Sequence, residues 1–168
     1  MDPGLARLNG LPEAQAREVL RACCAAGAWL DAVVAGRPYA DRASLQEAAS
    51  AALRALDWAG VREAIDVHPR IGERVAAKTT EAAWSASEQS GMDRANEETR
   101  AALVEANRAY EERFGHVFLV FATGKSDEQL LAAARERVHH DDAVERETVR
   151  VELAKIIHLR IQKLLDLP

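Results

Sequence analysis

Three polar residues of the 168-residue chain stand where the surrounding pattern predicts an apolar environment: His68, Glu88 and Arg160. His68 lies between a valine and a proline, Glu88 follows a tryptophan and several small residues, and Arg160 occupies an apolar position of the last predicted helix. A buried unpaired guanidinium is very costly, so Arg160 must reach a carboxylate, water or an anionic ligand. Together, a histidine, a carboxylate and an arginine could bind and protonate a small anionic substrate.

Each of these residues also has a purely structural explanation. A His-Pro pair at a helix end often caps the helix, and a glutamate in a short helix is usually solvated. An arginine on an apolar stripe often extends its aliphatic stem so that its charged head reaches water. The spacing of His68, Glu88 and Arg160 therefore does not by itself establish an active site.

Other constellations that could do chemistry are weaker. His139-His140-Asp141-Asp142 contains metal-ligand residue types, but adjacent ligands lack the spacing of a recognisable zinc site. A polar turn between helices explains this run better. Cys23 and Cys24 are adjacent inside a helical pattern without a second cysteine pair, which favours buried small hydrophobic residues over a metal or redox site. The chain has no Gly-rich phosphate loop or nucleophile elbow, so we expect neither a metal nor an organic cofactor.

The first half of the chain reads as a series of helices that would carry His68 to the end of one of them. We predict helices that open at Pro12-Glu13, lie between Gly27 and Gly36, begin at a Ser44 cap and begin at an Asp57 cap. Proline disfavours the helical conformation for the residue before it, so His68 should sit at a helix end or in a loop.

The second half is predicted to continue as helices around one non-helical stretch. A short helix over residues 84–91 would hold Glu88, and Gly115 would end a longer helix with Leu103, Asn107, Tyr110 and Phe114 on one face. Ser126 with Gln129 forms a predicted capping box. The last helix, from about Asp142 to Leu165, has the cleanest apolar stripe, and its members are Val149, Leu153, Ile156, Arg160 and Leu164.

The run Phe118-Leu119-Val120-Phe121-Ala122 is the one strand-like stretch of the sequence. It has no partner strand elsewhere, so we interpret residues 118–122 as a buried extended connector. The sequence thus predicts an all-α, single-domain helical bundle over residues 1–168 with this short connector.

Composition narrows the functional class. Hydrophobic residues make up 48% and charged residues 29% of the chain, the balance of an ordinary soluble globular protein. The net charge of −5 and the scattered basic residues argue against a nucleic-acid surface. No apolar run approaches the roughly 20 residues needed to span a bilayer. Because the first residues also lack the pattern of a signal peptide, we expect a cytoplasmic protein without a membrane partner.

Three stretches resemble the signatures of the 2-oxo-4-hydroxy-4-carboxy-5-ureidoimidazoline (OHCU) decarboxylase family. They are His68-Pro69-Arg70-Ile71-Gly72, Ser85-Ala86-Ser87-Glu88-Gln89-Ser90-Gly91 and Phe114-Gly115-His116-Val117-Phe118-Leu119-Val120. The resemblance covers nearly the whole chain in order. One departure is His116-Val117, which stands where many members have an aromatic residue and a proline.

The resemblance implies a cofactor-free, all-α carboxy-lyase that converts OHCU to (S)-allantoin in purine catabolism, and it allows a homodimer. His68 would be the proton donor, with Glu88 and Arg160 also catalytic. The implied substrate-binding residues are Pro69, Ser85, Ala86, Ser87, Glu88, Gln89, Val120, Phe121, Ala122, Thr123 and Gly124. Glu88 could orient the imidazole or hold the substrate's ureido group, and Arg160 could pair with Glu88 or with the substrate.

Two other functional classes remain open at this stage. The chain could be an all-helical interaction module derived from the family, although intact His68, Glu88 and Arg160 speak against that. It could also be a decarboxylase or hydrolase of a related ureide, because the motifs report the family more firmly than the substrate.

Overall fold

The computed structural model describes residues 1–71, 84–85 and 97–168. Its helices are α1 (Pro3–Gly10), α2 (Glu13–Arg21), α3 (Gly27–Ala35), α4 (Arg42–Ala55), α5 (Trp58–Ile65), α6 (Glu97–Phe114), α7 (Asp127–Arg137) and α8 (Asp142–Asp166). These described ranges contain no strand. The prediction of an all-α fold is therefore confirmed.

The chain forms two compact units. The first comprises Met1–Ala64 and Ala154–Pro168, and the second comprises Ile65–Leu153. Helix α8 begins in the second unit and ends in the first. The extent of a single domain over residues 1–168 stays a prediction.

The core of the first unit forms where α3 packs against α2 and α4. Trp29 on α3 is fully buried, and its indole Nε1 donates a hydrogen bond of 3.0 Å to the Ala49 carbonyl on α4. Cys23 and Cys24 are buried, as predicted for small hydrophobic residues, but the prediction that they lie inside a helix is wrong, because α2 ends at Arg21. Gly4 on α1 lies so close to the backbone of Leu165 that a Cβ atom would come within 1.9 Å of the Leu165 carbonyl oxygen.

Two helix starts differ from the sequence prediction. Ser44 is not the N-cap of α4: Asp41 is, and its carboxylate accepts from the Ser44 N–H at 2.7 Å while Ser44 completes the capping box. This backbone hydrogen bond also lowers the pKa of Asp41. Helix α1 was missing from the sequence prediction, although Asp2 caps it and a proline occupies its first position.

The second unit has its core between α6 and α7, which pack on each other. The predicted apolar face of α6 is confirmed, because Leu103, Asn107 and Tyr110 are buried. The connector joins the two helices without helix or strand, and its residues Phe118, Leu119, Val120 and Ala122 are buried. The predicted capping box of Ser126 and Gln129 is confirmed at the start of α7.

None of the helices in the described ranges combines the length and the apolar character that crossing a bilayer requires.

Candidate active site

His68 lies just beyond the end of α5, in the second unit. Its backbone N–H donates to the Ile65 carbonyl at 3.0 Å, which closes the last turn of the helix, and its side chain is partly buried. Pro69 then prevents the helix from continuing. The prediction that His68 lies at a helix end or in a loop is confirmed.

The backbone after His68 is held against α6 by two side-chain hydrogen bonds. Arg70 Nε donates to Glu111 Oε1 at 2.7 Å, and Asn107 Nδ2 donates to the Ile71 carbonyl at 2.9 Å. The second bond is buried, so water does not compete with it. The chain on the C-terminal side of His68 is therefore fixed to a long helix.

The His68 loop and the connector share one apolar cluster. Ile71 is buried in the same group of side chains as Phe118, Val120 and Ala122. The structure thus brings together the His68 loop and the connector, although these two segments are far apart in sequence.

The end of the predicted substrate-binding stretch is a tight turn. Thr123 and Gly124 are exposed, and the Lys125 N–H donates to the Ala122 carbonyl at 3.0 Å. Gly124 has φ of +77°, the left-handed region that glycine adopts without strain. The change of direction at the end of the connector therefore depends on this glycine.

Three side chains hydrogen-bond to the connector backbone. Arg137 Nη1 donates to the Leu119 carbonyl at 2.7 Å, and the Phe121 N–H donates to Glu152 Oε1 at 3.3 Å. Lys125 Nζ donates to the Phe121 carbonyl at 2.5 Å. The connector is therefore fixed by polar contacts as well as by its buried apolar side chains.

A polar cluster lies next to the connector: Tyr110, Arg137 and Glu145 are buried, and His140 is partly buried. The Glu145 carboxylate is fully buried and accepts from the Tyr110 hydroxyl at 2.5 Å and from Arg137 Nη2 at 2.6 Å. His140 Nδ1 lies 3.0 Å from the other carboxylate oxygen of Glu145. Burial, and then the hydrogen bond to Glu145, raises the pKa of the Tyr110 hydroxyl well above its ordinary value.

The sequence analysis missed Arg137, Glu145 and Glu152, although helical phase could have found two of them. Glu145 lies four residues before Val149, and Glu152 lies three residues after it, so both continue the buried stripe that singled out Arg160. Arg137 at the end of α7 offered no comparable signal.

The His139-His140-Asp141-Asp142 run connects α7 to α8 as the predicted polar turn. The backbone carbonyl of His140 accepts from Arg113 Nη2 at 3.2 Å. In the parts of the chain that the structure describes, no three His, Cys, Asp or Glu side chains are grouped to hold a metal ion.

His116 stands where the resemblance implies an aromatic residue, and it packs as an aromatic side chain would. Only 7% of its surface is exposed, its ring stacks on Phe114 at 6.1 Å between centroids, and it meets Tyr110 edge-on at 5.5 Å. The histidine therefore fills an aromatic position at the entry to the connector.

The second signature stretch is described only at its start. Trp84 and Ser85 are helical, and Ser85 is buried. Ala86, Ser87, Glu88 and Gln89 lie outside the described residues, together with the rest of the predicted short helix. Their roles stay predictions.

Arg160 belongs to the first unit, whereas His68 belongs to the second. The predicted burial of Arg160 is confirmed, since 1% of its surface is exposed. Its Nη1 atom donates at 3.2 Å to the carbonyl of Ala22, the residue that ends α2. A cation at the C-terminal end of a helix is favourable because it meets the negative end of the helix dipole. Arg160 thus has a structural contact, and its catalytic role stays a prediction.

Comparison with known proteins gives one consistent family. A family model described as OHCU decarboxylase matches residues 9–162. The 2-oxo-4-hydroxy-4-carboxy-5-ureidoimidazoline decarboxylase of Amia calva is 30% identical over 139 residues, which is 82% of this chain and 79% of that protein. The uric acid degradation bifunctional protein TTL of Arabidopsis thaliana is 33% identical over 111 residues, which is 64% of this chain and 33% of that protein.

Solved structures agree on the fold. The crystal structure of an OHCU decarboxylase in the presence of (S)-allantoin aligns with a TM-score of 0.75 at 24% identity, over 86% of this chain and 95% of that one. The crystal structure of an (S)-allantoin synthase aligns with a TM-score of 0.72 at 17% identity, over 96% of this chain and 54% of that one.

Proposed function

Because the chain belongs to the OHCU decarboxylase family, we propose that it removes CO2 from OHCU and yields (S)-allantoin in urate degradation. The observation that carries this proposal is the family match over residues 9–162, which includes the described stretches around His68 and the connector. The Amia calva relative, whose name states this activity, covers most of the chain.

The substrate's own chemistry explains why a helical domain with few polar groups would suffice. The departing carboxylate is attached to a ring carbon next to an imine. When the bond to the carboxylate breaks, CO2 leaves and the bonding electron pair passes into the imine, which gives an enediol-like ring. The protein must orient the carboxylate, stabilise that ring and deliver a proton to one face of the carbon that carries the ureido group.

His68 is the proposed proton donor. Imidazole side chains in general exchange protons near neutral pH, which suits a general acid in a cytoplasmic enzyme. The hydrogen bonds of the loop support this role, because Ile65 and Ile71 fix the backbone on both sides of His68.

Substrate binding is proposed for Pro69, for residues 85–89 and for residues 120–124. Buried main-chain groups of the connector would meet the ring, and the buried Ser85 would line the same pocket. Glu88 and Arg160 are the proposed carboxylate and cation of the site. Arg160 would bind the anionic substrate or pair with Glu88.

The test is turnover of OHCU generated in the assay from urate by urate oxidase and hydroxyisourate hydrolase. The wild-type chain should accelerate formation of (S)-allantoin, and His68→Asn should lose roughly 10²–10⁴-fold in rate while its helical circular-dichroism spectrum is unchanged. The matched control is His158→Asn, which changes an exposed histidine on α8 and should keep the wild-type rate.

Three outcomes would contradict parts of this proposal. A folded wild-type chain without OHCU turnover would favour an interaction module. Weak turnover of OHCU beside strong turnover of another ureide would favour a related enzyme. Near-normal activity in folded His68→Asn would remove His68 as the proton donor.

We also propose a cytoplasmic location, as the sequence predicts, and a homodimer, which rests on the family resemblance. Sedimentation equilibrium of the purified chain tests the dimer, and a monomer at assay concentrations would contradict it.

A further inference from the structure

The connector is fixed by two buried charged side chains from different helices of the second unit. Arg137 at the end of α7 donates to the Leu119 carbonyl, and Glu152 on α8 accepts from the Phe121 N–H. Only 5% of Arg137 and 8% of Glu152 is exposed. Each charge is thus withdrawn from water and placed against a backbone group of the same five-residue segment.

Stability alone does not explain these charges. Burying a charge has a large desolvation penalty, and apolar replacements of buried ion pairs are often neutral or stabilising. A charge-assisted hydrogen bond to a backbone group, however, fixes direction as well as distance. The connector has no partner strand among the described residues, so side chains provide these fixed contacts.

Arg137 is itself held in place. Its Nε and Nη2 atoms donate to Glu145 Oε1 at 2.9 Å and 2.6 Å, and its guanidinium lies 4.7 Å from the centroid of the Phe118 ring. The ion pair with Glu145 and the Phe118 ring restrict the guanidinium. Its third nitrogen, Nη1, therefore points in a fixed direction towards the Leu119 carbonyl.

We infer that Glu152 and Arg137 are positioning residues that act on the substrate through the connector backbone. In an extended segment, the N–H and C=O groups of neighbouring residues point to opposite edges. The edge with Leu119 and Phe121 is tied to the helices, so the backbone groups of Val120 face the other edge. The proposed function has main-chain groups of the connector meet the substrate ring, and we assign that contact to the edge of Val120, so the inference rests on that function.

Glu152 gives the sharper test because a conservative replacement separates its hydrogen bond from its charge. Glu152→Gln keeps an oxygen that can accept from the Phe121 N–H, whereas Glu152→Leu removes the acceptor at similar volume. A connector displaced by a fraction of an ångström should lower kcat/KM by about 10- to 100-fold. The loss should appear mainly in KM, because the connector would contact the substrate before and during reaction.

The matched control is Val149→Ala, a fully buried apolar residue one turn earlier on α8. This change loosens the same helix without removing a hydrogen bond to the connector. We expect Val149→Ala to lower the thermal midpoint and to leave KM within about 3-fold of wild type. Glu152→Gln should also leave KM within about 3-fold of wild type, because it keeps the acceptor. If Glu152→Leu does not fold, Glu152→Asp replaces it, since the shorter chain retracts the acceptor and should also raise KM.

The outcomes separate this inference from the proposed function. Wild-type turnover of OHCU, with raised KM in Glu152→Leu alone, supports both. Wild-type turnover with equal KM in Glu152→Leu and Val149→Ala overturns the positioning role and leaves the proposed function standing. A wild-type chain that does not process OHCU overturns the proposed function, and the positioning role fails with it.

Discussion

Arg137 donates to the Glu145 carboxylate through two nitrogens, and both hydrogen bonds end on the same oxygen, Oε1. The pair is buried, with 6% of the Arg137 side chain and 1% of the Glu145 side chain exposed. Tyr110 donates to that oxygen as well. A carboxylate so enclosed depends on its donors for stability, because water cannot replace any of them.

Removing one partner of this pair should therefore be worse than removing both. Arg137→Met leaves Glu145 buried without its cation and should lower the free energy of unfolding by about 3–5 kcal/mol. The double variant Arg137→Met with Glu145→Leu should recover most of that loss in urea denaturation. Its KM for OHCU should nevertheless stay raised, because the Leu119 carbonyl has lost its donor. Additive losses of stability would show that the two side chains do not act as a pair.

The activity is expected to survive removal of metals. The substrate provides its own electron sink, so exhaustive chelation followed by dialysis should leave the OHCU rate unchanged. The measurement compares rates before and after chelation, with and without added zinc. Loss of activity that zinc restores would refute the proposed chemistry and make the His139-His140 run a candidate ligand site.

Local sequence signals predicted the parts of the fold that local interactions determine. Pro69 keeps His68 out of a helix whatever surrounds it, and Ser126 with Gln129 caps α7 through local hydrogen bonds, so both were predicted correctly. Asp41 was missed because Ser44, the other half of the same capping box, is an equally good cap by residue type. Helix α1 was missed although Asp2 and Pro3 provide local start signals of the same kind.

The site was only partly predictable for a different reason. His68 and the connector were found by motif, but the contacts that fix them come from residues distant in sequence, such as Asn107 at Ile71 and Glu152 at Phe121. Helical phase marks Glu152 as buried, yet no pattern states which backbone group it meets. Such pairings depend on tertiary packing.

Gly124 provides a test of the turn that ends the proposed substrate-binding stretch. A Cβ atom at Gly124 would meet nothing within 4 Å, so Gly124→Ala adds only the strain of a left-handed alanine, about 1–2 kcal/mol. The strain should shift the turn and raise KM for OHCU. Gly115→Ala is the matched control, since Gly115 has nearly the same φ, +78°, and equal open space, but lies outside that stretch. Equal KM values in the two variants would contradict a role for the turn in binding.

The two tyrosines should make the fold sensitive to alkali. Burial raises the pKa of both Tyr39 and Tyr110 above the ordinary value of 10.0. In each case the folded chain holds its proton more tightly than the unfolded chain. The resulting stability is fully present below pH 10.0 and is lost as the pH rises towards the folded pKa values.

Urea denaturation from about pH 9 to about pH 11 measures this loss. The free energy of unfolding should fall over that range in the wild type and fall less steeply in Tyr110→Phe. Absorbance of the folded chain should show little phenolate near the ordinary tyrosine pKa. Normal titration of both hydroxyls in the folded chain would contradict their burial.

Arg160 has to be tested for two roles at once. It is buried and donates to the Ala22 carbonyl, and this contact uses one of the five N–H donors of a guanidinium. Arg160→Met keeps much of the volume and removes the charge, so the unfolding free energy should fall by about 1–3 kcal/mol for the abandoned carbonyl. If Arg160 also binds the substrate anion, kcat/KM should fall by roughly 10- to 100-fold.

A double variant tests whether Glu88 is the functional partner of Arg160. If the two form a functional pair, Glu88→Gln combined with Arg160→Met should be little worse than the poorer single variant, whereas additive losses in kcat/KM would give them separate roles. The control variant is Ile157→Val, which changes a buried residue one turn earlier on α8. It should lower the free energy of unfolding by about 0.5–1.5 kcal/mol without changing kcat/KM. Full activity in a destabilised Arg160→Met would make Arg160 a structural residue and remove it from the site.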